Sequence, residues 1–139
     1  MTKYLIFLAF LFVGCGDKAI VHIYDKELLK DGVPCLKLVV FPPDKKAQTT
    51  LRSFYNFSDD CDFRLEISKK SGITCNSNQN SDKKALTNFP SSYLKMDVSR
   101  GRKVVYSYYI DLLDEVDEED YEDAFVRVKK DLNIKGIDD

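Results

Sequence analysis

The chain has one histidine among its 139 residues, no CxxC pair and no arginine cluster, and each shortage closes off chemistry. A lone imidazole cannot assemble a multi-histidine metal site, and thiolate clusters normally announce themselves by CxxC spacing. There is no G-x-S-x-G elbow to seat a serine nucleophile and no P-loop to cradle phosphate. Basic residues are dispersed and the formal charge is −2, so nucleic acid is a poor partner. No internal repeat or low-complexity tract appears. Long apolar runs are also scarce. The longest, Tyr4 to Val13, would cover roughly 15 Å as a helix, about half of a hydrocarbon core of ~30 Å. It is too short to span a membrane.

That run is nonetheless informative. Lys3 precedes it, Gly14 closes it, and Cys15 follows immediately before polar sequence. A positive start, a short apolar stretch and a small exit residue form a secretory signal. A buried core helix would need a polar face, and this run has none. Phe12-Val13-Gly14-Cys15 resembles the lipobox of bacterial lipoproteins, with Phe12 standing where Leu is usual. The resemblance implies removal of residues 1–14 as a lipoprotein signal peptide and acylation of Cys15. Gly16, rather than Asp, after the cysteine implies release to the outer membrane. Two or three acyl chains hold a protein on a bilayer where one would let it go. Residues 15–18 then form a lipidated N-terminus and a short tether, reaching about 14 Å at most. A single domain is expected over 19–139, close against the membrane of a bacterial cell envelope.

The mature chain is expected to have 125 residues, enough for one real core, and loses Lys3 to reach a formal charge of −3. Its remaining cysteines are Cys35, Cys61 and Cys75, and export permits one disulfide among them. A Cys61–Cys75 bridge is disfavoured if Ser71-Gly72 makes a tight hairpin. Cys75 would then lie opposite Ser68, seven residues or roughly 23 Å from Cys61. Pairing of Cys35 with one of the other two ranks ahead, with the partner left open.

Short apolar runs separated by turn residues follow the anchor. Strands are expected at 19–24, 35–41, 51–57 and 62–68, in a segment after Gly72, and on both sides of Arg100-Gly101-Arg102. Pro42-Pro43 ends the second strand, since neither residue can donate to a ladder. In "YLKMDVS" and "KVVYSYYIDLL" the apolar positions match only if the connecting loop carries an extra residue. That register, reached through a three-residue loop or a bulge, sets Val98 against Val104 and Met96 against Tyr106, with Gly101 at positive φ. It also sets Tyr93 opposite Tyr109. The chain closes differently: Tyr121, Ala124, Phe125, Val128 and Leu132 recur at helical spacing over 117–132. Asp117 is the natural N-cap and Asp123–Arg127 an i,i+4 pair. Turns about every ten residues point to an immunoglobulin-like β-sandwich of about seven strands with one C-terminal helix.

Functional candidates are few. The acidic run from Asp111 to Asp123 lacks the alternating oxygens and central glycine of an EF-hand loop, and helix capping accounts for most of it. His22 has no companion motif and reads as a surface or partly buried imidazole. No catalytic residue, metal or cofactor is expected. Of the eight tyrosines and nine phenylalanines, most should fill the core. Tyr93, Val105 and Tyr109 form the best candidate for an exposed interaction patch.

The lipobox, the Lys-rich composition and the run of short strands are similar to small immunoglobulin-like lipoproteins of the epsilonproteobacteria. That likeness implies a non-catalytic binding module, an adhesin in its outward-facing form, held to the membrane by its lipid and taking a protein or glycan ligand. The alternative is a periplasmic accessory or scaffolding lipoprotein of an envelope assembly.

Overall fold

The computed structural model describes residues 18–72 and 90–134. Cys15, Cys75 and most of the strand expected after Gly72 lie outside them. The described chain is mainly β. Its strands are β1 (Ile20–Ile23), β2 (Lys37–Val40), β3 (Phe63–Lys70), β4 (Ser92–Arg100) and β5 (Lys103–Leu112). Its helices are α1 (Lys26–Leu29), α2 (Lys45–Phe54) and α3 (Glu118–Leu132). The strands form one sheet in the order β1-β5-β4-β3-β2, antiparallel except for the β2–β3 pair. Where the sandwich reading required a second sheet, α2 and α3 pack against the first.

The reason lies partly in residues 44–54. Asp44 caps α2 by accepting the Ala47 N–H at 3.1 Å, and Ala47, Thr50 and Leu51 then turn inward at spacings of three and four. The strand expected at 51–57 is therefore a helix up to Phe54. Starting the pattern at Leu51 hid the cap seven residues upstream. A parallel β2–β3 pair needs a crossover, and α2 supplies it.

Alternation explains β3 and β4 well. Phe63, Leu65 and Ile67 face the helices, as do Leu94, Met96 and Val98 across the ladder. The β4–β5 turn carries Gly101 at φ +62°, and a bulge is present as the sequence requires. Its position differs from the expected one. Val98 pairs with Tyr106 and Ser99 with Val104, which leaves Val105 as the extra residue. A bulge puts two successive residues on one face, so Val105 joins Tyr106 in the core and Val104 turns outward.

Helix α3 begins where expected, with a reciprocal capping box between Asp117 and Asp120. It ends at Asn133, in the left-handed conformation at φ +46°. The carbonyl of Asn133 would sit 2.7 Å from a Cβ at Gly32, which explains a glycine in the "KDGVP" turn. Arg127 pairs with Asp131 at 2.8 Å rather than with Asp123, and Tyr106 donates its hydroxyl proton to the same carboxylate at 2.8 Å. Phe125, fully buried, meets Tyr55 and Phe57 at centroid distances of 5.7 and 5.8 Å. Cys35 and Cys61 are disulfide-bonded, tying the segment before β2 to the start of β3.

Candidate functional site

Helices α2 and α3 cover one face of the sheet; among the described residues nothing covers the other, the open face. Because side chains alternate, Ile20 and His22 of β1, Ser107 and Tyr109 of β5, and Tyr93, Lys95 and Asp97 of β4 share the open face. Tyr24, just past β1, continues the series, and Val104 is added by the bulge. Ile20 is 53% exposed, Tyr24 60% and Val104 41%. These are large apolar surfaces to leave in water on one side of a small domain.

The aromatic groups sit in two pairs. Tyr93 and Tyr109 stack with centroids 5.6 Å apart and ring planes 26° from parallel. The ladder places Tyr93 opposite Asp111 and Lys95 opposite Tyr109, so the two rings meet across the diagonal rather than head-on. Tyr109 donates its hydroxyl proton to the Asp111 carboxylate at 2.7 Å, and that bond pushes its ionisation up to about 12. His22 and Tyr24 stack at 6.0 Å. Between the pairs lies a polar floor. Lys95 holds Asp97 at 3.1 Å, Ser107 is buried, and the second Asp97 oxygen is closed to water without a partner among the described residues. A groove of about 370 Å³ runs over this floor, bounded by Tyr24, Val104 and Lys103. Lys103 is itself held by Asp25 at 2.9 Å.

Of the three residues expected to form an exposed patch, Tyr93 and Tyr109 are together on the open face. Val105 is not, being fully buried by the bulge. Ile20, Tyr24 and Val104 take its place. Ile20 and Tyr24 are not among the expected residues, although alternation along 19–24 is the signal that could have found them; Val104 was concealed by the phase change at Val105. His22 has Ser107 as its cross-strand neighbour and stacks on Tyr24.

A second cleft, of about 330 Å³, lies at the far edge of the sheet, among Val40, Phe41, Pro42, Asp44, Lys69 and Tyr121. Lys69 pairs with Asp44 at 2.8 Å, and that hydrogen bond holds the Asp44 carboxyl below its ordinary range. Asp44 is already committed to the α2 cap, so the pair serves the fold. No group of three or more metal-ligating side chains occurs among the described residues, and no described helix is long and apolar enough to cross a membrane.

No family model and no curated protein matches the chain. Among solved structures it is similar to the dodecamer of a PelC variant from Paraburkholderia phytofirmans, at 8% identity. The match covers 86% of this chain and 99% of that one, with a TM-score of 0.42. A likeness that slight carries no argument about function.

Proposed function

We propose that the protein is a lipid-anchored, non-catalytic binding module of a bacterial cell envelope, and that it docks a protein partner on the open face of its sheet. The observation that carries the binding surface is the face that no described element covers: two stacked aromatic pairs with Ile20 and Val104 exposed beside them. Tyrosines flanking a partly desolvated polar floor are what protein interfaces select, since each ring brings large contact area at little entropic cost. The membrane part rests on the lipobox-like Phe12-Val13-Gly14-Cys15. Cys15 would hold the acyl chains, with β1 beginning at Ile20 only five residues later.

The test is recovery of partners from envelope extracts with the acylated protein. A Tyr93→Ser/Tyr109→Ser chain should lose its specific partners while Val126→Ser, at an exposed position on α3, keeps them. Unchanged recovery from the double variant would sink the docking proposal. Mass spectrometry showing an intact Met1 or an unmodified Cys15 thiol would sink the anchor. Protease shaving of intact cells separates the two envelope roles: an adhesin is removed and a periplasmic scaffold is spared.

A further inference from the structure

We propose that the free edge of β1 is a pairing edge, and that its occupant is β1 of a second copy of this chain. The inference stands apart from the docking role of the open face. β1 is terminal in the sheet order, so among the described residues one of its sides meets no strand. Tyr24 donates its N–H to the Val105 carbonyl at 2.9 Å, which turns the even-numbered residues of this segment toward β5. Alternate residues of an antiparallel strand bond to opposite sides. The backbone groups of Val21 and Ile23 therefore point outward.

Among the described residues this edge is short but carries neither charge nor proline. Native edge strands usually carry a charge, a proline or a bulge of their own. Ile20-Val21-His22-Ile23-Tyr24 has no such charge or proline, and the nearby bulge is on β5. The opposite edge of the sheet is treated differently: β2 contains Lys37, follows a disulfide and runs into Pro42-Pro43. The β1 edge is also apolar on both faces. Ile20 and Tyr24 are exposed on the open side, and Ile23, on the helix side, is 40% exposed.

The strand is complementary to itself. Two antiparallel strands of one sheet related by a two-fold axis must oppose residues of the same face. With His22 on the axis, Ile20 meets the second copy's Tyr24, and Val21 meets the second copy's Ile23. The Val21–Ile23 pairs are those whose backbone groups point outward, so about four hydrogen bonds form across the axis. On either side of the central His22 pair, apolar side chains oppose apolar ones, and the two open faces become one continuous surface. A strand this short buries less than the ~1,000 Å² of a stable interface. The pairing is therefore weak in dilute solution and is best read by trapping.

The experiment uses the full chain in its native membranes, with Cys75→Ser to remove the spare thiol. His22→Cys should give an oxidant-dependent dimer on non-reducing gels, several-fold above both the parent chain and Asn56→Cys, an exposed position remote from β1. Val21→Cys alone should not. Adding Ile23→Lys should abolish the His22→Cys dimer, with circular dichroism confirming that the variant is folded. Equal trapping at positions 22 and 56 would overturn the inference. So would preferential trapping at position 21, or a dimer that survives a folded Ile23→Lys chain.

Discussion

Replacing Cys35 and Cys61 together by serine removes the one covalent link between the entry to β2 and the entry to β3. The two residues are 26 apart in sequence, and the loop they close contains all of β2 and α2. Their Cα atoms lie 5.9 Å apart, within the ordinary range for an unstrained bridge. The loss should therefore be close to the loop-closure value. For a loop of this length the chain-entropy relation gives about 3.5 kcal/mol at 25 °C. In a domain of this size that corresponds to a fall in Tm of roughly 10–15 °C. Urea unfolding of the double variant, in a Cys75→Ser background to prevent exchange, measures it directly. The midpoint should fall, and the slope should rise because the unfolded chain is freed to expand. A loss below about 1 kcal/mol would refute the entropic reasoning. Non-reducing peptide mapping that paired Cys75 with either partner would refute the connectivity itself.

Three further outcomes follow from the packing and the charges. Phe125→Ala empties the centre of the Tyr55–Phe57–Phe125 cluster and should cost about 3–5 kcal/mol in chemical denaturation. Lys69→Met removes the partner that depresses Asp44. A carboxyl with a depressed folded pKa stabilises above its unfolded value near 3.8, and that contribution disappears as pH falls through the folded pKa. The variant should thus lose at most about 1 kcal/mol at neutral pH and show a flatter decline in thermal melts below pH ~4. At the alkaline end, burial followed by the bond to Asp131 raises Tyr106, and the bond to Asp111 raises Tyr109 to about 12. Both hold their protons in the fold after the unfolded chain would release them, so stability should fall from about pH 10 upward. Tyr109→Phe should lessen that fall, and ultraviolet titration should show one fewer late-ionising phenol.

Local physics made much of the chain legible before any tertiary contact was known. Strict alternation in Phe63-Arg64-Leu65-Glu66-Ile67 identifies β3, and the same alternation in Leu94 to Val98 identifies β4. Asp117 followed by three acids and a helical apolar stripe is enough to mark α3. The mismatch of apolar faces around Arg100-Gly101-Arg102 is enough to demand an irregular register, and the bulge is there.

Which surface each buried face would meet was a different matter. An alternating strand declares that one side is covered but not whether a sheet or a helix covers it, so β3 and β4 were equally compatible with a sandwich. The answer came from α2, whose Asp44 cap and Ala47-Thr50-Leu51 stripe place a helix over the sheet. The phase of the bulge was also a tertiary decision. Moving the extra residue to Val105 exchanges Val105 for Val104 between core and open face, because a one-residue slip inverts every side chain beyond it. The disulfide partner of Cys35 depended on β2 and β3 lying parallel, which brings Cys61 alongside at 5.9 Å. Periodicity and caps are properties of neighbours in sequence; the choice of covering layer, register and bridge belongs to residues that meet only after the chain has closed on itself.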